Sequence, residues 1–184
     1  LDKDGKLIHQ PYHYRDERTK DALDKAFEKL SADELYAETG NQIMNINTLF
    51  QLTVDENAKK ADKLLFMPDL FAYMLTGNKV CEMSIASTSQ MLNPSTKAWD
   101  KGVLNTFEID EKLFPQLVDS ATVNGEYKGI KVISVAGHDT QCAVAAMSVT
   151  DEDAAFLSCG TWSLIGCELD KPMLTLESNQ KELS

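Results

Sequence analysis

The sequence lacks any excess of basic residues. Eighteen lysines and arginines stand against 29 aspartates and glutamates, which leaves a formal net charge of -11. A chain with this balance repels a phosphate backbone and offers no basic stripe to DNA or RNA. Nucleic acid is therefore not an expected partner. Net charge is a long-range property, however, and local backbone amides or a bound cation still permit an anionic ligand.

Long apolar runs are missing as well. No segment approaches the roughly 18 to 20 apolar residues that a membrane span requires. Residues 1–6 also lack the basic and then apolar layout of a signal peptide. We therefore expect a cytoplasmic protein with no membrane partner. The chain has no initiator methionine and closes on the polar segment 177–184, which indicates an excerpt of a longer protein.

Cysteine is scarce and shows no paired spacing. The sequence contains no C-x-x-C motif, so we expect reduced thiols that serve packing. None of the three histidines falls at zinc-finger spacing from a cysteine, and we assign no metal ligands. The residues concerned are Cys81, Cys142, Cys159, Cys167, His9, His13 and His138.

Several catalytic motifs are absent too. The sequence has no G-x-x-x-x-G-K-[ST] loop, which argues against a P-loop kinase. It has neither the protein-kinase catalytic loop nor a D-F-G triplet. The segment around Ser163 fails the spacing of the G-x-S-x-G nucleophile elbow, which argues against a serine hydrolase.

Helical patterns dominate the first part of the chain. Apolar residues at i, i+3, i+4 and i+7 predict an amphipathic helix over 19–30. Ser31 followed by Glu34 is a capping-box pattern, which predicts the start of a second helix. A longer helical stretch is expected over 48–76, with a break at Pro68.

Strand patterns are fewer. Alternation and aromatic content predict a strand over 6–14, whereas 109–117 is expected to be a short helix. The segment 122–129 has the character of a linker turn. The β-branched run 130–136 predicts a strand, and the small residues of 141–147 predict a helix after it.

Two polar constellations interrupt these apolar segments. Gly137-His138-Asp139-Thr140 follows the strand end at which open α/β sheets bind ligands. Cys159-Gly160-Thr161 separates the apolar strands 154–158 and 162–169 as a tight hairpin. Phosphoryl transfer needs a group that takes the proton of the attacking hydroxyl, together with amides and Mg²⁺ that hold phosphates. Two alternatives remain open, a helix N-cap at Asp139 or Thr140 and a plain turn at Gly160-Thr161.

The same residues resemble the FGGY family of carbohydrate kinases. The resemblance is carried by 135–140 and 155–166, and upstream segments agree with the family in the same order. Within the family the chain is similar to the branch that phosphorylates L-rhamnulose. The upstream segments are 14–19, 34–40, 47–52, 67–77 and 86–90.

This resemblance implies an α/β fold made of a partial ribonuclease H-like domain of the actin and hexokinase type, plus the first hairpin of a second such domain. Residues 1–148 would be the C-terminal part of the N-terminal, sugar-binding domain, and 149–184 the start of the C-terminal, ATP-binding domain. The implied reaction uses ATP and Mg²⁺ to phosphorylate L-rhamnulose at O1. The alternatives are a kinase for a related ketose, fuculose or xylulose, and a non-catalytic fragment that keeps the fold.

The resemblance also implies site residues. His138, Asp139 and Thr140 would contact the ketose, with Asp139 as the base for its C1 hydroxyl, and Gly160 and Thr161 would contact ATP phosphate. The family's first phosphate-binding hairpin and its adenosine-binding segment are absent from the chain. We therefore expect the chain alone to be inactive and to need the remainder of the kinase chain as its partner.

Two further polar segments stay open at this stage. Asp16 is expected to cap the turn or helix that follows it rather than to bind sugar. The asparagine-rich segment 45–47 could line a sugar pocket or form a polar loop.

Overall fold

The computed structural model describes residues 1–147, 151 and 154–183. Helices and short strands are mixed along this part of the chain. The α-helices are α1 (Ala22–Phe27), α2 (Ala32–Thr39), α3 (Thr48–Val54), α4 (Met67–Thr76), α5 (Met83–Ser87), α6 (Lys101–Thr106), α7 (Asp139–Ala145) and α8 (Leu176–Gln180). The strands are β1 (Val80–Glu82), β2 (Leu92–Asn93), β3 (Ala98–Trp99), β4 (Gln116–Val118), β5 (Thr122–Tyr127), β6 (Ile130–Ser134), β7 (Ala155–Cys159) and β8 (Ser163–Cys167).

The capping box predicted for α2 is confirmed. The amide of Glu34 donates to Ser31 Oγ at 3.3 Å, and the Glu34 carboxylate accepts from the Ser31 amide at 3.1 Å. The helix ends at Gly40, whose φ of 64° lies in the left-handed region that glycine adopts without a steric penalty. Both ends of α2 are therefore encoded locally.

Pro68 starts a helix instead of breaking one. It occupies the first turn of α4, where the missing amide hydrogen costs nothing because that position has no intrahelical partner. The expected continuous stretch is divided into α3, the 3₁₀ turn Ala58–Lys60 and α4. The predicted break at Pro68 was wrong, while the helical character of 48–54 and 67–76 is confirmed.

Two other expectations were wrong, and a third, for 109–117, holds only in part. Residues 6–14, all described, form no strand, and His9 instead contacts Asp55 at 3.3 Å. The segment 109–117 is helical only over the 3₁₀ turn Glu111–Leu113, because Pro115 forces the preceding residue into an extended conformation. The supposed linker 122–129 is mostly β5, which pairs with β6 and has a bulge between Val123 and Gly125, and φ is 140° at Gly125.

The strands pair two by two in the described residues. β1 and β4 are parallel, with Cys81 opposite Leu117, whereas β5 and β6 form an antiparallel hairpin that packs against α4. β7 and β8 form a second antiparallel hairpin, and α7 contacts β7. The C-terminal segment returns to the first part of the chain, because Asn179 Nδ2 donates to Asp33 Oδ1 at 2.7 Å.

The core lies among α2, α3, β1 and the residues around β2. Leu35, Leu49, Phe50, Cys81 and Met91 are fully buried. Each large apolar side chain removed from water contributes roughly 1.5–3 kcal/mol to stability. This cluster therefore holds the surrounding helices and strands in place.

A buried polar group lies inside this core. The side chain of Gln90, fully buried, donates from Nε2 to Thr39 Oγ1 at 2.7 Å and accepts at Oε1 from Asn47 Nδ2 at 2.6 Å. Asn47 is thus a buried structural residue of the core. The segment 45–47 was expected either to line a sugar pocket or to form a polar loop, and the contacts of Asn47 fit the polar loop.

Cys81 alone among the cysteines is a buried packing residue. Cys142 is half-buried, and Cys159 and Cys167 are exposed on the β7–β8 hairpin, so the packing role predicted for these last two was wrong. All four are free thiols. Over the described ranges, no helix combines the length and apolarity needed to cross a bilayer.

Candidate active site at the end of strand β6

The polar turn after β6 leads directly into α7. His138 is the N-cap residue and Asp139 the first residue of the helix. The N-cap residue His138 makes no capping hydrogen bond with its side chain, so the N-cap position itself is filled by neither Asp139 nor Thr140, the two residues of the alternative interpretation. Asp139 is exposed, and its Oδ1 accepts a hydrogen bond from the Thr140 amide at 2.8 Å. Its carboxylate is therefore accessible from solvent and close to the other polar groups of the turn.

Hydrogen bonds from its backbone amides fix the turn to Glu82 and Ser84. The Gly137 amide donates to Glu82 Oε2 at 2.9 Å, and the His138 amide donates to Ser84 Oγ at 3.3 Å. A Cβ atom on Gly137 would lie 2.9 Å from Pro68 Cγ and 3.1 Å from Ile85 Cβ. Because such contacts are too short for carbon atoms, the close packing of the turn requires glycine here.

Two buried carboxylates lie beneath the turn. Burial acts to raise the pKa of Glu82, but hydrogen bonds from Ser120, Ser84 and the Gly137 amide outweigh it and hold the pKa below its ordinary value. Burial, helped by the negative charge of Glu82, raises the pKa of Asp69 from 3.8 to about 6. Glu82 is therefore ionised at neutral pH, and Asp69 is the buried acid that titrates closest to neutrality.

Asp69→Asn should change how stability depends on pH. The unfolded aspartate ionises near pH 3.8 and the folded one near 6, so the parent loses stability as pH rises through this window. The asparagine side chain cannot ionise, so the variant does not lose this stability. The loss in the parent is at most about 3 kcal/mol in free energy of unfolding, at roughly 1.4 kcal/mol per pKa unit. Thermal unfolding of both proteins at pH values of about 4.5, 5.5 and 7 should show the Tm of the variant rising relative to that of the parent as the pH increases. A difference in Tm that is constant across this range would contradict the buried-acid assignment.

The second constellation is a hairpin turn, as predicted. Cys159 pairs with Ser163, and the Gly160 amide donates to the Trp162 carbonyl at 2.9 Å. Gly160 and Thr161 are exposed, and a Cβ atom on Gly160 would meet nothing closer than 3.9 Å. The turn is thus open to a ligand on its outer side. The expected domain boundary between residues 148 and 149 lies outside the described residues.

Asp16 has the turn-forming role expected of it. Its Oδ1 accepts from the Arg18 amide at 2.9 Å and caps the 3₁₀ turn Glu17–Thr19. The Arg18 guanidinium lies over the Tyr12 ring at 3.9 Å and contacts Asp55 at 3.6 Å. The carboxylate of Asp16 therefore stabilises the turn that follows it.

Sequence reasoning missed Glu82 and Ser84. The only sequence signal was an acidic residue among the apolar residues of 80–86, a pattern that indicates a buried carboxylate with hydrogen-bond donors around it. In the described part of the chain, no group of three or more His, Cys, Asp or Glu side chains could hold a metal ion.

Comparison with known families and proteins gives consistent matches. Residues 1–157 match the N-terminal domain of the FGGY family of carbohydrate kinases. Among curated proteins, a rhamnulokinase from Bacteroides thetaiotaomicron is 44% identical over 97% of this chain and 40% of its own length. A rhamnulokinase from Bacillus subtilis is 36% identical over 97% of this chain and 40% of its own length. The chain thus spans about 40% of the length of these relatives.

Solved structures agree on the fold. A ligand-bound xylulose kinase from Lactobacillus acidophilus superimposes with a TM-score of 0.79 at 21% identity, over 94% of this chain and 38% of that one. A Plasmodium falciparum glycerol kinase with ADP gives 0.75 at 18% identity, over 88% of this chain and 35% of that one. The predicted α/β fold of the actin and hexokinase type, present in part, is confirmed.

Proposed function

The chain belongs to the FGGY family of carbohydrate kinases, and we propose that it is part of an ATP-dependent kinase that phosphorylates L-rhamnulose at O1. The products would be L-rhamnulose 1-phosphate and ADP. The observation that carries this proposal is the 44% identity to a rhamnulokinase over 97% of the chain. Because the chain spans about 40% of that relative, the activity is proposed for a complete kinase that contains these residues.

Asp139 is the proposed catalytic base. Its exposed carboxylate lies at the start of α7, beside His138 and Thr140, which we propose contact the ketose. The proton of the sugar O1 hydroxyl passes to Asp139 as O1 bonds to the γ-phosphorus and the bond to the ADP oxygen breaks. In a loose transition state the base mainly orients the hydroxyl and accepts its proton late, so an ordinary carboxylate suffices.

The β7–β8 turn is the proposed phosphate contact. Gly160 and Thr161 are exposed there, and the space beside Gly160 is open. ATP would supply the phosphoryl group, and the turn's backbone and the Thr161 hydroxyl offer donors for phosphate oxygens. Mg²⁺ would arrive with the nucleotide. Since the described residues contain no fitting cluster, no residue of this chain is assigned to the ion.

The proposed division of the chain follows from these roles. Residues 1–148 would end the sugar-binding domain, and 149–184 would begin the ATP-binding domain. The partners of the chain are then the ketose, ATP and the remainder of the kinase, in the cytoplasm, where ATP is available. The contact between α7 and β7 supports this arrangement, because it brings the elements of the two constellations together.

The test is a substrate panel on the complete kinase. ADP release should be measured with L-rhamnulose, L-fuculose and D-xylulose at equal concentrations of ATP. We expect kcat/KM for rhamnulose to exceed the other two by at least about tenfold, or about 1.4 kcal/mol of transition-state discrimination. The 184-residue chain assayed alone serves as the inactive control. Preference for another ketose would favour the related-sugar alternative, and absence of turnover with all three would favour a non-catalytic role.

A further inference from the structure

The carboxylate of Glu82 collects hydrogen bonds from three separate parts of the chain. Oε1 accepts from the Ser84 amide at 3.0 Å and from Ser120 Oγ at 2.6 Å. Oε2 accepts from the Ile85 amide at 3.2 Å and from the Gly137 amide at 2.9 Å. Glu82 is 1% exposed. A buried charge with this many donors is fixed in one orientation and fixes its donors in return.

Ser84 extends this hold to the next residue of the turn. Its hydroxyl donates to Glu82 Oε2 at 2.6 Å and accepts from the His138 amide at 3.3 Å. Two consecutive amides, those of Gly137 and His138, are therefore tied to one carboxylate, the first directly and the second through Ser84. Asp139 is the next residue along the chain, and the rigid turn sets the direction in which α7 begins.

We propose that Glu82, acting through Ser84, is a positioning residue that fixes the turn Gly137–His138 and thereby aims the Asp139 carboxylate at the sugar hydroxyl. This inference rests on the proposed function of Asp139. Its physical basis is that a displacement of about 1 Å between a catalytic group and its target lowers the rate by up to roughly 10²-fold.

The sharpest comparison uses the two serines that bond Glu82. Ser84 Oγ and Ser120 Oγ both donate to it at 2.6 Å, but only Ser84 also touches the turn. In the complete kinase, Ser84→Ala should lower kcat by about five- to tenfold, equivalent to roughly 1–1.4 kcal/mol, with KM for ATP unchanged. Ser120→Ala should leave kcat within about twofold of the parent. Ser84→Thr keeps the hydroxyl and should restore kcat.

Glu82→Gln is the second variant. Both carboxylate oxygens accept from backbone amides, so the NH₂ group of glutamine faces an amide hydrogen in either orientation. We expect a fall in kcat of about tenfold or more. If this variant fails to fold, the serine pair still decides the question, because each serine variant removes one hydroxyl.

Hydrogen exchange separates this inference from the proposed function. The amides of Gly137 and His138 should exchange at least several-fold faster in Ser84→Ala than in Ser120→Ala, whether or not rhamnulose is the substrate. If the parent kinase turns over no ketose, the proposed function is wrong. The exchange rates of the Gly137 and His138 amides would then still test whether Ser84 fixes the turn. Equal exchange in both variants, or equal kcat losses in both, would overturn the positioning role.

Discussion

Asp139→Asn in the complete kinase should lower kcat by at least about 10²-fold, the lower range for loss of acid–base catalysis. Asparagine keeps the shape of the side chain and an acceptor for the Thr140 amide, which Asp139 Oδ1 bonds at 2.8 Å. It cannot accept the proton of the sugar hydroxyl. Because the change leaves the β7–β8 turn untouched, the KM for ATP should stay the same. Steady-state kinetics with both substrates varied measures the two effects separately.

Two companion variants make the interpretation of that loss specific. Asp119→Asn alters another aspartate, in the loop before β5, and should leave kcat unchanged. His138→Ala should raise KM for the sugar more than it lowers kcat, as expected of a group that binds rather than transfers a proton. If Asp139→Asn retained kcat within a few-fold of the parent while remaining folded, another group would have to be the base.

Local patterns predicted several parts of the fold that local physics determines, although they missed the β5–β6 hairpin. The capping box of α2 and the left-handed glycine at its end lie within about ten residues of one another, so the sequence shows both. The β7–β8 hairpin is equally local. The pairing of β4 is not local, because it became a strand beside β1, which lies parallel to it and more than thirty residues away in sequence. No window of sequence around 109–117 contains that partner.

The candidate site divides in the same way. The turn at residues 137–140 was found because its polar residues follow a β-branched run, which a short window reveals. Glu82 accepts a hydrogen bond from the Gly137 amide, 55 residues away in sequence, and Ser84 accepts one from the His138 amide, 54 residues away. A buried acid among apolar residues signals that donors must exist, but it does not say which. Only the folded chain identifies them.

The buried Gln90 shows the same limit in the core. Its side chain bonds Thr39 and Asn47, more than forty residues upstream. Its backbone has a φ of 66°, a value that few residues other than glycine adopt. Nothing in the polar segment around it indicates a fully buried glutamine. Tertiary packing places it there, because its partners satisfy its polar atoms.

Phe50→Ala should produce a large loss of stability. Phe50 is among the largest fully buried side chains and lies in α3 as a member of the core cluster. Removing a buried phenylalanine costs about 3–5 kcal/mol, since the transfer free energy is lost and a cavity remains. The expected fall in Tm is roughly 6–20 °C at about 2–4 °C per kcal/mol for a domain of this size. Thermal unfolding followed by circular dichroism measures it.

Phe27→Ala is the matched control for that experiment. It removes the same atoms from another helix, α1, and makes the same change in helix propensity, but Phe27 is 37% exposed. Because much of its ring already contacts water, the lost transfer free energy and the cavity are both smaller. Its Tm should fall by less than half as much as that of Phe50→Ala. Equal losses for the two variants would show that burial does not distinguish the two sites, and would contradict the assignment of Phe50 to the buried core.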